Sequence, residues 1–170
     1  MNILFVVPYV PNQIRTRPYN FIRSLSKRGH SITLAALWQN EQERADLQDL
    51  ERHGIKVVSS HLTKVRSTWN ALTALPSQVP LQAVYCWQPE LLRMLDAHLS
   101  QEHFDVIHVE HLRGAHYGLW LNARLGKSNL RTPIVWDSVD CISYVFEQAA
   151  HSSRSVFGRL VAWLELNRTR

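Results

Sequence analysis

Residues 1–37 read MNILFVVPYVPNQIRTRPYNFIRSLSKRGHSITLAAL, and their pattern decides the fold class. An apolar run at residues 1–7 is typical of a buried strand, and a polar segment at residues 8–18 interrupts it. Residues 19–28 then have the apolar spacing of an amphipathic helix, and residues 31–37 form a second apolar strand. This order predicts a β-α-β unit, in which ligands bind at the loop after the first strand.

The loop after the first strand is rich in cationic and amide side chains. It carries Asn12, Gln13, Arg15 and Arg17, and the first acidic residue of the chain is Glu41. A purely cationic unit suits a phosphate-bearing or otherwise anionic ligand, so we expect these four loop residues to bind substrate. The loop contains no glycine, which argues against the Gly-x-Gly-x-x-Gly cradle of a dinucleotide site.

Composition narrows the class of protein. A chain of 170 residues with 45% apolar content is the size of one globular domain. The net charge of +5 comes without a run of Lys or Arg, which argues against a nucleic-acid partner. We expect Cys86 and Cys141 to be buried thiols in a reducing compartment. The sequence shows neither a membrane-spanning run nor a secretory signal, so we expect a cytoplasmic protein.

The rest of the chain alternates strand and helix patterns. We predict strands at residues 55–59, 104–109 and 133–136, and helices at residues 41–52, 62–75, 90–99, 114–125, 141–150 and 156–166. The strand at residues 133–136 is expected to be buried. The alternation predicts an α/β fold, a Rossmann-like parallel sheet with helices on both faces. The segments at residues 8–17, 110–117 and 137–141 follow strands, so we expect them to converge at one edge of the sheet.

The sequence at the end of the fourth strand carries three titratable side chains. His108 and Glu110 alternate along the strand and therefore share one face, and His111 stands at the exit into the next segment. A carboxylate beside an imidazole suits general-base chemistry, so all three are catalytic candidates. The alternatives are that His108 is a core histidine and that Glu110 starts a helix. With His116, these residues match no zinc-binding spacing, and we expect no metal site.

Three further residues are candidate substrate ligands. Arg113 near a helix start opposes the helix dipole, which favours a bound anion there, although a solvated arginine is the alternative. His116 follows in the same segment. Asp137 at a strand end can accept hydrogen bonds from sugar hydroxyls or cap the next helix, and we assign the capping role to Asp140.

The last predicted helix carries an apolar stripe and basic residues. Because the stripe runs to Arg170 without a cap, we expect the chain to be a fragment of a longer protein. Packing of this stripe on its own domain is the favoured interpretation. Peripheral contact with the inner membrane face is the alternative, since residues 151–170 contain four arginines and one glutamate. The stripe consists of Val156, Phe157, Leu160, Val161 and Leu164.

Four segments, in this order, resemble bacterial GT-B retaining glycosyltransferases of the group 1 or family 4 type. They are RTRPYNFIRSLSKRGH at residues 15–30, FDVIHVEH at 104–111, RGAHY at 113–117 and WDSVDCIS at 136–143. Such enzymes have two Rossmann-like domains facing a cleft, one for the acceptor and one for the nucleotide-sugar. The resemblance implies that residues 1–170 are the N-terminal, acceptor-side half of a GT-B fold, without the C-terminal donor-binding domain.

The resemblance also implies an activity. The full-length protein would be a hexosyltransferase of polysaccharide biosynthesis, moving a sugar from a nucleotide-sugar to a glycan or lipid-linked acceptor without a cofactor. Two positions depart from the family. Many relatives have a glycine pair where this chain has Asn12 and Gln13, and many have His-x-His where it has His108-Val-Glu110. The alternative is a self-contained flavodoxin-like module that binds a phosphorylated ligand or a protein partner without catalysis.

Overall fold

The computed structural model describes residues 1–127 and 132–169. Its centre is a parallel sheet in the order β3-β2-β1-β4-β5. This is the strand order of Rossmann-type sheets, whereas flavodoxin-like sheets have the order 2-1-3-4-5. The predicted Rossmann-like fold is therefore confirmed. The strands are β1 (Asn2–Val7), β2 (Ser31–Trp38), β3 (Lys56–His61), β4 (Val106–Glu110) and β5 (Ile134–Asp137).

Eight helices are described along the chain. They are α1 (Thr16–Lys27), α2 (Glu41–Arg52), α3 (Lys64–Ala74), α4 (Leu81–Tyr85), α5 (Pro89–Gln101), α6 (His111–Lys127), α7 (Ile142–Ser152) and α8 (Val156–Thr169). Helix α1 begins earlier than predicted because Pro18 lies in its first turn, where a missing N–H costs nothing. Helix α4 is not predicted by the sequence, since five residues are too few to show a helical period.

Strand β1 is buried on both faces of the sheet. Leu4 and Val6 belong to the apolar cluster that contains residues of α5 and α6, whereas Phe5 and Val7 belong to the cluster of α1 and α2. Each fully buried side chain of this size contributes about 1.5–3 kcal/mol. Helices therefore cover both faces, as predicted, and the central strands form a rigid base for the side chains at their carboxyl ends.

Three predictions near β5 are wrong. Strand β5 pairs only with β4, so it lies at the edge of the sheet, and Val135 and Trp136 are half exposed instead of buried. Cys141 is an exposed free thiol, while Cys86 is buried as expected. Cys141 is also the N-cap residue of α7, and no side chain caps that helix, so Asp140 does not have the predicted capping role.

Three of the five residues in the apolar stripe of α8 do not pack on the domain as favoured above, whereas Val161 and Leu164 are partly buried. Val156, Phe157 and Leu160 are 73%, 74% and 61% exposed, and the buried residues of α8 are Ala162, Glu165 and Leu166. The helix packs against α7, and polar contacts hold its carboxyl end. No helix within residues 1–127 and 132–169 is long and apolar enough to cross a membrane.

Polar contacts explain which side of α8 is buried. Glu165 accepts hydrogen bonds from the backbone N–H groups of Leu81 and Gln82, at 3.0 and 3.3 Å, and so caps α4 from a distance. The Arg168 guanidinium donates to the carbonyl oxygens of Leu75 and Val79. These charge-assisted bonds fix the orientation of the helix and leave Val156, Phe157 and Leu160 exposed.

Candidate functional site

The order of the strands reverses between β1 and β4, and such a point opens a crevice outside the carboxyl ends of the strands. Tyr9 follows β1 by two residues, and Glu110 is the last residue of β4. The Tyr9 hydroxyl donates a 2.9 Å hydrogen bond to Glu110 Oε1. This bond spans the crevice and joins two segments that are 101 residues apart.

Glu110 is a nearly buried carboxylate that can accept more hydrogen bonds than the described residues donate to it. The exposed fraction of Glu110 is 2%. Burial raises the pKa of Glu110 above its ordinary value, although the Tyr9 hydrogen bond and the Arg17 charge act in the opposite direction. In the part of the chain that the structure describes, its carboxylate accepts one hydrogen bond, whereas an ionised carboxylate has about four acceptor positions. Glu110 can therefore bind a ligand hydroxyl and take up a proton.

His108 lies on the same face of β4 as Glu110, as predicted. Its ring packs against Phe5 and Phe21, with centroids 4.9 and 5.6 Å away. Its Nε2 is 3.6 Å from Asp137 Oδ2, and its buried Nδ1 has no hydrogen-bond partner among the described residues. Burial lowers the pKa of His108 more than the nearby carboxylate raises it, so the imidazole is neutral at pH 7. The aromatic packing agrees with a core histidine, and the buried Nδ1 is left without a partner in the described residues.

An ion pair closes the side of the crevice next to β5. Arg17 Nη2 donates to Asp137 Oδ2 at 2.5 Å, and Asp137 Oδ1 accepts from the Val139 N–H at 3.0 Å. Burial raises the pKa of Asp137, but these hydrogen bonds and the Arg17 charge outweigh it and hold the pKa below its ordinary value. The pair connects the start of α1 to the end of β5 across β4.

Four predicted site residues line one cavity, which we call the Glu110 cavity. Its volume is about 530 Å³. Ligand pockets typically enclose about 300–1,000 Å³, so it can hold a sugar unit. Phe21 contributes an apolar wall that is 46% exposed. The lining residues are Arg17, Pro18, Asn20, Phe21, Ser24, His108, Glu110, Val135 and Asp137.

His111 joins β4 directly to α6. The sequence suggested a loop between these two elements, and the structure has none there. Its φ of 65° lies in the left-handed region, which is uncommon for residues other than glycine. His111 Nδ1 accepts a 3.2 Å hydrogen bond from the Arg113 N–H, so the neutral ring carries its hydrogen on Nε2. Burial and the Arg113 charge lower the pKa of His111. The ring therefore has a hydrogen-bond donor at Nε2, but His111 is not among the residues that line the Glu110 cavity.

The first half of the loop after β1 lies outside the Glu110 cavity. Asn12 Oδ1 accepts from the N–H groups of Ile14 and Arg15, at 3.0 and 2.9 Å, and Asn12 Nδ2 donates to Asp46. Gln13 is exposed beside it in a shallow surface pocket. These contacts organise the loop, and a substrate-binding role for Asn12 and Gln13 stays a prediction.

Arg15 is also engaged within the chain. Its Nη1 is 3.1 Å from Glu43 Oε1 and 3.3 Å from the Val10 carbonyl oxygen. Its guanidinium carbon lies 5.1 Å from the centroid of the Tyr9 ring, close enough for a cation–π contact. The predicted cationic loop is therefore largely neutralised, since Arg15 and Arg17 each have a carboxylate partner.

The two remaining predicted ligands lie on α6. Arg113 lines a smaller cavity on the other side of Tyr9. His116 contacts the Trp87 ring, 5.7 Å away between centroids, and burial lowers the pKa of His116. His116 is thus separated from the Glu110 cavity. No group of three or more His, Cys, Asp or Glu side chains within the described ranges is placed to hold a metal ion.

Sequence reasoning missed Tyr9 and Phe21. Tyr9 lies in the loop where ligands were expected, and its aromatic hydroxyl was the available signal. Phe21 is an exposed aromatic residue in α1, and its contact with His108 depends on the crossing of α1 over β4. Neither contact follows from the local sequence pattern.

No family model matches the chain, and no curated protein matches it. Among solved structures, that of the glycotransferase of kitacinnamycin is similar over 98% of this chain, with 19% sequence identity and a TM-score of 0.45. The chain spans 40% of the length of that solved chain.

Proposed function

We propose that this chain is the acceptor-binding half of a glycosyltransferase, which transfers a sugar from a nucleotide-sugar to a glycan or lipid-linked acceptor. One observation carries the proposal. Glu110, a nearly buried carboxylate with one hydrogen bond from the described residues, lies at the switch point of the sheet beside a cavity large enough for a sugar. The ordered resemblance of four sequence segments to GT-B enzymes supports the same assignment.

In this proposal Glu110 binds the nucleophilic hydroxyl of the acceptor. The carboxylate accepts a hydrogen bond from that hydroxyl and takes its proton as the oxygen bonds to the anomeric carbon of the donor. The nucleoside diphosphate leaves from the same carbon. Because burial raises the pKa of Glu110, this carboxylate is a stronger base than an exposed one.

The surrounding residues position the acceptor. His108 lines the same cavity, and its buried Nδ1 has no partner among the described residues. Phe21 supplies an apolar wall for the C–H face of a sugar. His111 is not among the lining residues, and in this proposal it acts from the junction of β4 and α6 through its Nε2–H donor. The Arg17–Asp137 pair fixes α1 against β5 and sets the width of the cavity.

The nucleotide-sugar is bound by a second domain in this proposal, since the cleft of a GT-B enzyme has two sides. We expect residues 1–170 alone to transfer no sugar and to bind nucleotide-sugars only weakly. Isothermal titration calorimetry with a panel of nucleotide-sugars tests this division of labour. Micromolar binding of any of them to residues 1–170 contradicts it.

A further inference from the structure

Arg113 differs from the other arginines around the crevice. Arg15 and Arg17 pair with Glu43 and Asp137. The Arg113 side chain forms no hydrogen bond or ion pair with residues 1–127 or 132–169, and its Nε atom is buried. A buried donor without a partner costs about 1–3 kcal/mol, and more when it carries charge. A hydrogen-bond acceptor supplied by a ligand would therefore stabilise the Arg113 side chain.

Arg113 lines a cavity of about 240 Å³, which we call the Arg113 cavity. This volume is below the roughly 300–1,000 Å³ of pockets for whole ligands, so it suits one small group of a larger molecule. Tyr9 lines this cavity, and its hydroxyl contacts Glu110 of the neighbouring cavity. The lining residues are Pro8, Tyr9, Arg15, Leu37, Gln39, Glu43, Leu62, Tyr85, Cys86 and Arg113.

The charges around the Arg113 cavity leave one cation unbalanced. Glu43 is the only carboxylate among its lining residues, and Oε1 pairs with Arg15 while Oε2 accepts from the Gln39 N–H. Burial raises the pKa of the Cys86 thiol to about 11, although the Arg113 and Arg15 charges pull it down, so the thiol is neutral at pH 7. The cavity therefore carries a net positive charge at the position of Arg113.

We infer that the Arg113 cavity binds an oxyanion, a phosphate or carboxylate group, carried by the acceptor whose sugar occupies the Glu110 cavity. A guanidinium presents a planar fork of N–H donors that matches either group with two parallel hydrogen bonds. The inference rests on the proposed function, because it makes the acceptor an anionic saccharide. Tyr9 then stands between the charged group and the sugar.

NMR of the ¹⁵N-labelled chain reports on the Arg113 Nε–H directly. We expect inorganic phosphate to shift this resonance saturably, and sodium chloride at equal ionic strength not to do so. Loss of a charged hydrogen bond in Arg113→Gln should weaken phosphate binding about tenfold or more. Arg159→Gln, at an exposed position of α8, is the matched control and should bind as the parent does.

Sugar monophosphates then distinguish a bound free anion from an acceptor group. We expect a sugar phosphate to bind more tightly than inorganic phosphate, and Glu110→Gln to weaken the sugar phosphate only. An absent phosphate shift of the parent resonance, or a phosphate affinity unchanged in Arg113→Gln by isothermal titration calorimetry, overturns the inference. Equal affinity for phosphate and every sugar phosphate overturns the link to the acceptor. Failure of all saccharides to bind, with phosphate binding intact, contradicts the proposed function and leaves the oxyanion site standing.

Discussion

The loop after β1 and the end of β4 both present polar side chains to the crevice, but they use them differently. In the loop, the side chains of Asn12 and Arg15 form hydrogen bonds with other residues of the chain. At the end of β4 and the start of α6, His108, Glu110 and Arg113 keep polar atoms without protein partners in the described residues. The difference separates side chains that hold the scaffold from those that have capacity for a ligand.

The largest expected effect concerns catalysis at Glu110. In a protein that joins this chain to the donor-binding domain of the proposed enzyme, Glu110→Gln should lower the rate of sugar transfer by about 10²–10⁴, the usual contribution of a general base. The isosteric amide keeps an acceptor for the Tyr9 hydroxyl, so folding should be preserved. Initial rates at saturating donor measure the effect, and exposed Glu51→Gln is the matched control. A rate equal to that of the control contradicts the role of Glu110 as the general base.

The scaffold role of the loop after β1 can be tested by the free energy of unfolding of variants at two adjacent residues. Asn12→Ala removes three hydrogen bonds and should lower the free energy of unfolding by about 1–2 kcal/mol. Gln13→Ala, at an exposed neighbour, should change it by less than about 0.5 kcal/mol. Urea denaturation followed by circular dichroism measures both values. Similar values for the two variants contradict a scaffold role for Asn12.

The same substitution at two arginines sharpens the contrast. Arg15→Gln breaks a half-exposed ion pair and should cost about 0.5–1 kcal/mol. Arg113→Gln removes a charge that has no partner in the described chain, so in buffer free of phosphate and carboxylates it should be neutral or stabilising. Urea midpoints at constant ionic strength give the comparison. A larger loss at Arg113 than at Arg15 means that Arg113 has a structural role.

The smallest effects are the pH dependences of stability at two carboxylates. The pKa of Glu110 is raised in the folded chain, so its ionisation costs stability as pH rises above its ordinary value of 4.5. The pKa of Asp137 is lowered, so its contribution is present above pH 3.8 and is lost as pH falls through the folded pKa. Glu110→Gln should remove the first slope and Asp137→Asn the second, in urea midpoints measured from pH 3 to 7. Slopes of the same sign contradict the assignment.

The sequence pattern predicts the sheet well because buried parallel strands are apolar runs bounded by polar segments. The alternation of side chains along a strand also predicts correctly that His108 and Glu110 share a face. The sequence pattern does not predict which side chains pair with each other in ion pairs and hydrogen bonds. Arg17 pairs with Asp137, and Tyr9 with Glu110, across 120 and 101 residues. Local periodicity cannot show whether an arginine is paired or free.

In helix α8, the local sequence pattern also fails to predict which apolar residues are buried. Its stripe has the spacing of a core-facing helix, yet Phe157 and Leu160 point outward. The helix is oriented by Glu165, which caps α4, and by Arg168, which binds carbonyl oxygens near it. These two charged residues are more than 80 positions from their partners along the chain. Tertiary contacts therefore override the local pattern in this helix.

Binding of an acceptor sugar in the Glu110 cavity is the central requirement of the proposed function. Saturation-transfer NMR with a panel of neutral and anionic mono- and disaccharides tests this claim most directly, with the parent chain, Glu110→Gln and Glu51→Gln side by side. We predict that at least one saccharide receives saturation from the parent and from Glu51→Gln, with a strongly reduced signal from Glu110→Gln. Equal signals from all three proteins, or none with any saccharide, contradict the claim.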